Sequence, residues 1–475
     1  MHTENRLPTD PLLLSIADYA AQYEVSSDAA LQAARLCLLD SLACAFEALD
    51  HADCTRLIGP VIPGGEVTVG ARVPGTQLML DPVKATFDIA TLVRWLDLSD
   101  TWIATQTTHP SDDLGAVLAV CDYLSRSAAA AGRAPVNMRT LLAAMTRAHE
   151  IQGGLGAHIP ITRHGIDNVF LTKIACAAVV AQLLGCDRDR IAAAVSLAFF
   201  EPSLAVHRFG SNTGPRKGWA GGDASADGVR FAMMAAKGEP GYPQVLTHPV
   251  WGFFKSFLGG GTLELKVPLE CGVIQGVIYK FYPAVIHVQS QIECALKLHA
   301  AVAHRIDDIA AIDIRTHQEV MAKIVKSGPL RNPADRDHCL QYSVAVALLK
   351  GSLTAADYED EAAANPRIDQ LRELMTVTPD EAYTARFRDV ATRANPASIE
   401  VRFRDGTSSG RIEAIYPVGH PDRRSEALPL FEAKFRAGLA LRYPVERQQQ
   451  IAALCFDHAR LLAMPVHAFT DLLAV

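Results

Sequence analysis

No two of the ten cysteines stand three positions apart, so the chain has no C-x-x-C pair. That removes the usual ligand spacing of a structural zinc site or an iron–sulfur cluster, and no metal is expected. The cysteines are scattered from Cys37 to Cys455, mostly inside apolar runs, the pattern of buried thiols in a reducing compartment. Basic charge is not in excess. Lys and Arg number 45 against 52 Asp and Glu, a formal net charge of −7, so no nucleic-acid partner is expected. Any anionic ligand must then be met by local positive charge. The apolar stretch IACAAVVAQLLGC is too short to span a bilayer, and MHTENRLPTDPLLL has no apolar core behind positive charge. The expectation is a cytoplasmic protein with no membrane span and no cleavable leader. QGGLGAH and LGGGT match neither the dinucleotide fingerprint nor the phosphate loop, and AHEIQ is not the H-E-x-x-H of a zinc protease.

What is present is a chain of 475 residues, 49% hydrophobic and 20% charged, enough for two or three domains with a large core. Nearly every segment before about residue 270 reads as helix. Asp81 and Pro82 mark one start; Ser27 and Ser111 are read as caps of two others, the second with Asp112 and Asp113 in its first turn. The pattern changes after FLGGGTLELKVP. IAAIDIRTH is a short β-rich run, and ASIEVRFRDGTSSGRIEAIYPV gives two alternating strands around Asp405-Gly406, a hairpin signal. The predicted architecture is mainly α. It has a large all-helical bundle domain over 1–272 and a smaller α+β lid domain over 273–417, hinged near GGGTLE and YPVGH. Helices over 418–475 rejoin the bundle.

Candidate chemistry begins at RWLDLSDTWIATQTTHPSDD, residues 94–113. Asp97 and Thr101 are four apart and share a face if the helix runs through them, and Pro110 fixes the loop that carries His109. Arg216 and Lys217 sit in a glycine-rich approach to a helix start, which suits carboxylate binding. Lys280 and His287 flank Pro283 where the second domain begins, and LRNPADRDHCLQYS adds Arg331, Arg336, His338 and Tyr342. Together they make a cleft lined by Lys, His, Tyr and Asp at a domain boundary, where ligand sites concentrate.

WLDLSDTW, HPSDDLG, AHEIQGG, NTGPRKGWAGGDA, FYPAVIH and NPADRDHCLQY, in this order over essentially the whole chain, resemble the MmgE/PrpD family and, within it, its 2-methylcitrate dehydratases. The resemblance implies a cofactor-free homodimer acting on a small tricarboxylate, with its site between helical domain and lid. It implies catalytic positions at Asp97, Thr101, His109, Lys217, Lys280, His287 and Tyr342, with Arg208, Arg216, His164, Asn168 and His207 on the substrate. Two places depart from the family pattern. IDNV stands where relatives read LDHV, placing Asn168 where they have His, and His207-Arg208-Phe209 stands where the dehydratases carry Tyr-Arg-His; His164 or His207 is expected to compensate. The implied reaction takes 2-methylcitrate to 2-methyl-cis-aconitate, with His109 and Asp97 as the candidate acid and base and His287 as the other proton carrier. A cis-aconitate decarboxylase of the same family and a non-catalytic helical tricarboxylate-binding protein are the alternatives. The Thr-Trp to His-Pro spacing, longer by two residues than in the decarboxylases, favours the dehydratase.

Overall fold

The computed structural model describes residues 8–208, 213–265 and 269–475. It is mainly helical, with a small α+β part, and two large hydrophobic cores stand out among the described residues. The larger core is built by helices Asp28–Ala48, Pro82–Arg94, Leu114–Ala130, Met138–Gly156, Val169–Leu183 and Arg216–Ala236. The chain's last helices add Phe435, Leu439 and Phe469 to it. Ser27 caps the first of these helices, its Oγ accepting the Ala30 N–H at 3.3 Å. That helix, at 21 residues, is long and apolar enough to cross a membrane by length and composition. It lies mostly buried, packed on helices Pro82–Arg94 and Arg424–Arg442.

Small residues let the central helices approach closely. A Cβ on Gly222 would come within 2.3 Å of Thr91 Oγ1 and 2.7 Å of the Phe87 carbonyl, so helix Arg216–Ala236 can lie against helix Pro82–Arg94 only with glycine there. The glycines after Lys217 therefore serve helix packing.

The second core lies under a four-stranded sheet. Ile309–Thr316 pairs parallel with Met375–Pro379 and antiparallel with Ala397–Phe403, which forms a hairpin with Ser408–Ala414. The hairpin turns where DG predicted, with Gly406 at φ 86°. Helices Gln289–Val302 and Leu340–Lys350 pack together beneath the sheet. Strand Met375–Pro379 and the two-residue ribbon Ala71–Arg72/Met79–Leu80 lay outside the sequence reading. The chain enters and leaves this second body at one place, where the Tyr279 N–H donates to the Gly419 carbonyl at 3.2 Å.

Candidate active site

Helix Pro82–Arg94 starts where expected, Asp81 accepting the Val83 and Lys84 N–H groups at 3.0 and 3.1 Å. It stops at Arg94, so Asp97 and Thr101 do not share a helical face. Asp97 takes a left-handed backbone, φ 50°, a conformation that costs an L-residue on the order of 1 kcal/mol and that Asp tolerates better than most. Thr101 instead forms a β-bridge with Ile278, exchanging hydrogen bonds of 2.9 and 2.8 Å. Since Ile278 is two residues before Lys280, the bridge delivers that lysine to Asp97.

Asp97, Lys217 and Lys280 are each no more than 1% exposed. Lys280 Nζ donates to Asp97 Oδ1, and Lys217 Nζ lies 3.4 Å from Asp97 Oδ2. Burial by itself would raise the Asp97 pKa. Lys280, Lys217, Arg94 and His338 outweigh it and hold the carboxyl well below the usual range, so Asp97 is ionised. Lys280 is displaced in the other sense: burial, with help from Arg94 and Lys217, outweighs Asp97 and lowers its pKa.

The second body completes this cluster. Asp337 Oδ2 accepts from Lys217 Nζ at 2.6 Å, and His338 Nδ1 lies 2.6 Å from Asp337 Oδ1 with its Nε2 3.6 Å from Asp97 Oδ2. Burial and then Lys217 push His338 down to about 4, leaving a neutral ring at neutral pH. His338 is among the cleft candidates read from the sequence but not among the positions the resemblance implies; Asp337 is in neither set, although both lie inside the motif NPADRDHCLQY. A cleft of about 1160 Å³ between the bodies reaches Lys217 and Asp337, lined also by Trp95, Phe281, Tyr282 and Lys434.

His109 sits beside the cluster. Its Nδ1 is 2.9 Å from the Asp100 carbonyl and 3.2 Å from Thr101 Oγ1. Burial, then Arg94 and Lys280, depress its pKa well below 6.5. The loop that carries it is anchored by the Asp100 carboxylate, which accepts the Ser111 N–H at 3.0 Å. Ser111 is thus no helix cap. Residues Pro110–Asp113 form a 3-10 turn, and the following helix, Leu114–Ala130, has no side-chain cap. Asp112 and Asp113, expected in the first turn of that helix, lie in the 3-10 turn before it and are buried; Asp112 meets Arg94 at 3.2 Å, and burial lifts its pKa to about 6.

His287 is 6% exposed and close enough to Lys323, His317, His338 and Asp97 to feel their charges. Burial comes first in keeping it neutral, and its Nδ1 has no partner among the described residues. Arg208 and His207 meet on Asp167, at 2.5 and 3.0 Å, and Arg208 keeps Nη2 buried and unpartnered among the described residues. Asp167, unforeseen, is held ionised by Arg208 and His207 against the effect of its own burial.

Four expected residues are not brought to the cluster. Tyr342 turns into the second core, donating its hydroxyl to the Asp357 carbonyl at 2.7 Å and stacking on Tyr358. Arg216 turns outward to Asp223 at 2.9 Å and lies over the Trp219 ring. His164 is exposed, so of the two proposed compensating histidines only His207 is enclosed. Asn168 donates to the Thr107 carbonyl at 3.1 Å, a contact that steadies the His109 loop. Phe209 lies outside the described residues.

Among the described residues, two groups have donor atoms near enough to share a metal: Asp97 with Asp337 and His338, and Cys37 with Asp100 and His149. In the first, Lys217 and Lys280 already supply the positive charge that the carboxylates need. In the second, Cys37 is held as a thiol by burial and the Asp100 charge, with its pKa well above 9.0. Neither donor set fits a metal better than its present partners.

The chain matches the family model of the MmgE/PrpD N-terminal domain over residues 14–266 and that of the MmgE/PrpD C-terminal domain over residues 282–458. The 2-methylcitrate dehydratase of Cupriavidus necator is 48% identical, covering 98% of this chain and 97% of its own. That of Escherichia coli is 46% identical over 98% of each. The mitochondrial 2-methylcitrate dehydratase of Yarrowia lipolytica is 42% identical, over 99% of this chain and 91% of its own.

Proposed function

The chain belongs to the MmgE/PrpD family, and we propose that it is a cofactor-free hydro-lyase removing water from 2-methylcitrate to give 2-methyl-cis-aconitate. The observation that carries the chemistry is a buried neutral imidazole, His109, beside a carboxylate locked between two lysines.

The proton to be removed is alpha to a carboxylate and only weakly acidic, because the developing carbanion adds charge to an anion. Ammonium and guanidinium groups facing that carboxylate in a water-poor site stabilise the transition state most. Lys217 and Arg208 take this task, Arg208 through its open Nη2. The Asp100 carbonyl can only accept, so the His109 proton is on Nδ1 and Nε2 is free to take the carbon-bound proton. The electron pair of the broken C–H bond forms the alkene as the C–O bond breaks. Lys280, its pKa already lowered, gives a proton to the departing hydroxide, which leaves as water. The proton on His109 then returns to Lys280, and the site is restored. His287 offers its open Nδ1 to the substrate hydroxyl. Thr101 orients His109, and Asp97 holds the lysines rather than carrying a proton.

The test is to incubate purified protein with 2-methylcitrate and follow the ultraviolet absorbance of the conjugated alkene. Steady growth without added metal is expected, unaffected by a chelator, with slower turnover of citrate. Carbon dioxide release from cis-aconitate in its place would overturn the dehydratase reading in favour of a decarboxylase. We also propose a cytoplasmic homodimer, as the family resemblance implies; light scattering at twice the 51.2 kDa chain mass checks the dimer.

A further inference from the structure

Helix Arg424–Arg442 lies almost 150 residues from Lys280 in sequence and supplies none of the groups in the proposed elimination. Its single lysine nevertheless reaches both loops of the cluster. Lys434 Nζ has three hydrogens and uses them on three acceptors: Asp40 Oδ1 at 2.6 Å, the Leu98 carbonyl at 3.0 Å and the Lys280 carbonyl at 3.1 Å. Leu98 follows Asp97, and the other carbonyl belongs to Lys280 itself. The same ammonium is thus bonded to the two backbone segments whose side chains form the Asp97–Lys280 pair.

We propose that Lys434 is a positioning residue that sets the distance between Asp97 and Lys280, with Asp40 as its anchor. Asp97 has a left-handed backbone, and Lys280 lies in an irregular segment between a short helix and a 3-10 turn, so neither is placed by regular secondary structure. Main-chain carbonyls of such segments need a donor, and a buried one left unsatisfied is costly. One ammonium satisfying two of them fixes the segments relative to each other. Its side chain is 11% exposed and Asp40 1% exposed, so water does not compete strongly for these bonds. Gly438, one turn along the same helix, lets the backbone approach Ala43, where a Cβ would lie 3.1 Å from the Ala43 Cα. The helix therefore seats the lysine firmly against helix Asp28–Ala48.

The inference rests on the proposed elimination in one respect: it takes the Asp97–Lys280 pair to matter for turnover. The charged and titratable groups facing Lys280 are Asp97, Arg94, Lys217, His109 and Asp40; those facing Lys434 are Asp40, Cys44 and Glu47. Without its tether, Lys280 drifts from Asp97, the one group among the causes of its shift that raises its pKa.

The test compares the full-length parent with Lys434→Met, which keeps length and loses all three donors. Assays run at a temperature where thermal melts show both proteins fully folded. The expected result is a kcat at least tenfold lower, KM within threefold, and an alkaline limb of the kcat–pH profile moved to lower pH. Lys434 also lines the open cleft, so in Lys434→Ala a small alkylammonium such as ethylammonium should restore kcat and the limb, while ethanol should not. Should the lysine variants fail to fold, Asp40→Asn loosens the anchor and should move kcat and the limb in the same direction. A folded Lys434→Met, or Asp40→Asn in its place, with parental kcat and an unmoved limb overturns the inference. A parent inactive on 2-methylcitrate would instead sink the functional reading, so the two failures are distinct.

Discussion

His109 Nδ1 lies 2.9 Å from the main-chain oxygen of Asp100, and this one contact decides which ring nitrogen is free for chemistry. With burial first, and Arg94 and Lys280 adding to it, the ring stays neutral well below pH 6.5. The sign follows: the base form is present at pH 6.5 and is lost only as pH falls through the depressed value. The acid limb of kcat should therefore lie clearly below 6.5. His109→Asn keeps a donor for the Asp100 carbonyl and should lower kcat by at least about a hundredfold. An acid limb centred at 6.5, or near-parental turnover in the variant, would remove His109 as the base.

From sequence, Asp97→Asn keeps shape and is expected to fold close to normally, but the structure buries Asp97 between two lysines. Taking one partner from a buried ion pair typically costs about 3–5 kcal/mol, so the melting temperature should fall together with kcat. Asp97→Asn and His109→Asn combined should be little worse in kcat than either alone, because groups acting as a unit are not additive. Calorimetry and single-turnover rates check both halves; an unchanged melting temperature would mean that the lysines do not depend on this carboxylate.

Tyr342→Phe tests a position that the family resemblance places in the site and the structure places in the second core. Its hydroxyl serves the Asp357 carbonyl, and burial raises its pKa to about 12. The expected outcome is a loss of about 1 kcal/mol in stability with kcat within about threefold of the parent. A hundredfold loss of kcat in a fully folded variant would return Tyr342 to the chemistry.

Glu150 gives a stability prediction outside the site. It is buried at 4% exposure and accepts the Val273 N–H, and burial raises its pKa to about 7 against 4.5. The folded state therefore binds a proton more tightly than the unfolded one. Its contribution is complete below pH 4.5 and is lost as pH rises to about 7, at roughly 1.4 kcal/mol per pH unit. Glu150→Gln should flatten that decline by about 3 kcal/mol, read as the difference in urea midpoints between pH 4.5 and 7.5. Parallel curves for parent and variant would show the carboxyl to be ionised in the fold.

Local signals in the chain were read correctly where one short segment determines the outcome. Ser27 and Asp81 cap helices through their own side chains, and Asp405-Gly406 turns a hairpin through its own backbone. Strand Met375–Pro379 was not visible because it is short, half-exposed and held by pairing with Ile309–Thr316, more than 60 residues away. The site followed the same division. Asp97, His109, Lys217 and Lys280 could be nominated from motifs, but their mutual contacts could not. Period alone suggested a helical face for Asp97 and Thr101, whereas the β-bridge to Ile278 and a left-handed residue set their geometry. In NPADRDHCLQY the sequence offers His338 only as one of several cleft residues and gives no sign of Asp337, since no spacing shows that the loop before a helix crosses to Lys217. Lys434 offered still less, for a lysine in an amphipathic helix reads as solvated charge.

The contact between Tyr279 and Gly419 has a consequence for how such a molecule can be assembled over evolutionary time. A Cβ on Gly419 would come within 1.9 Å of the Tyr279 carbonyl oxygen, so the two strands of chain leading into and out of the second body touch backbone to backbone. A segment whose ends coincide is a cassette: it can be acquired, exchanged or excised without moving the points it joins. Splicing residue 279 to residue 419 through a short turn leaves the helices of the larger body contiguous in space. The cut also removes Lys280, Asp337 and His338, so a shortened chain that still folds would keep only Asp97 and Lys217 of the cluster, one carboxylate against one ammonium, with no second wall to close over a ligand.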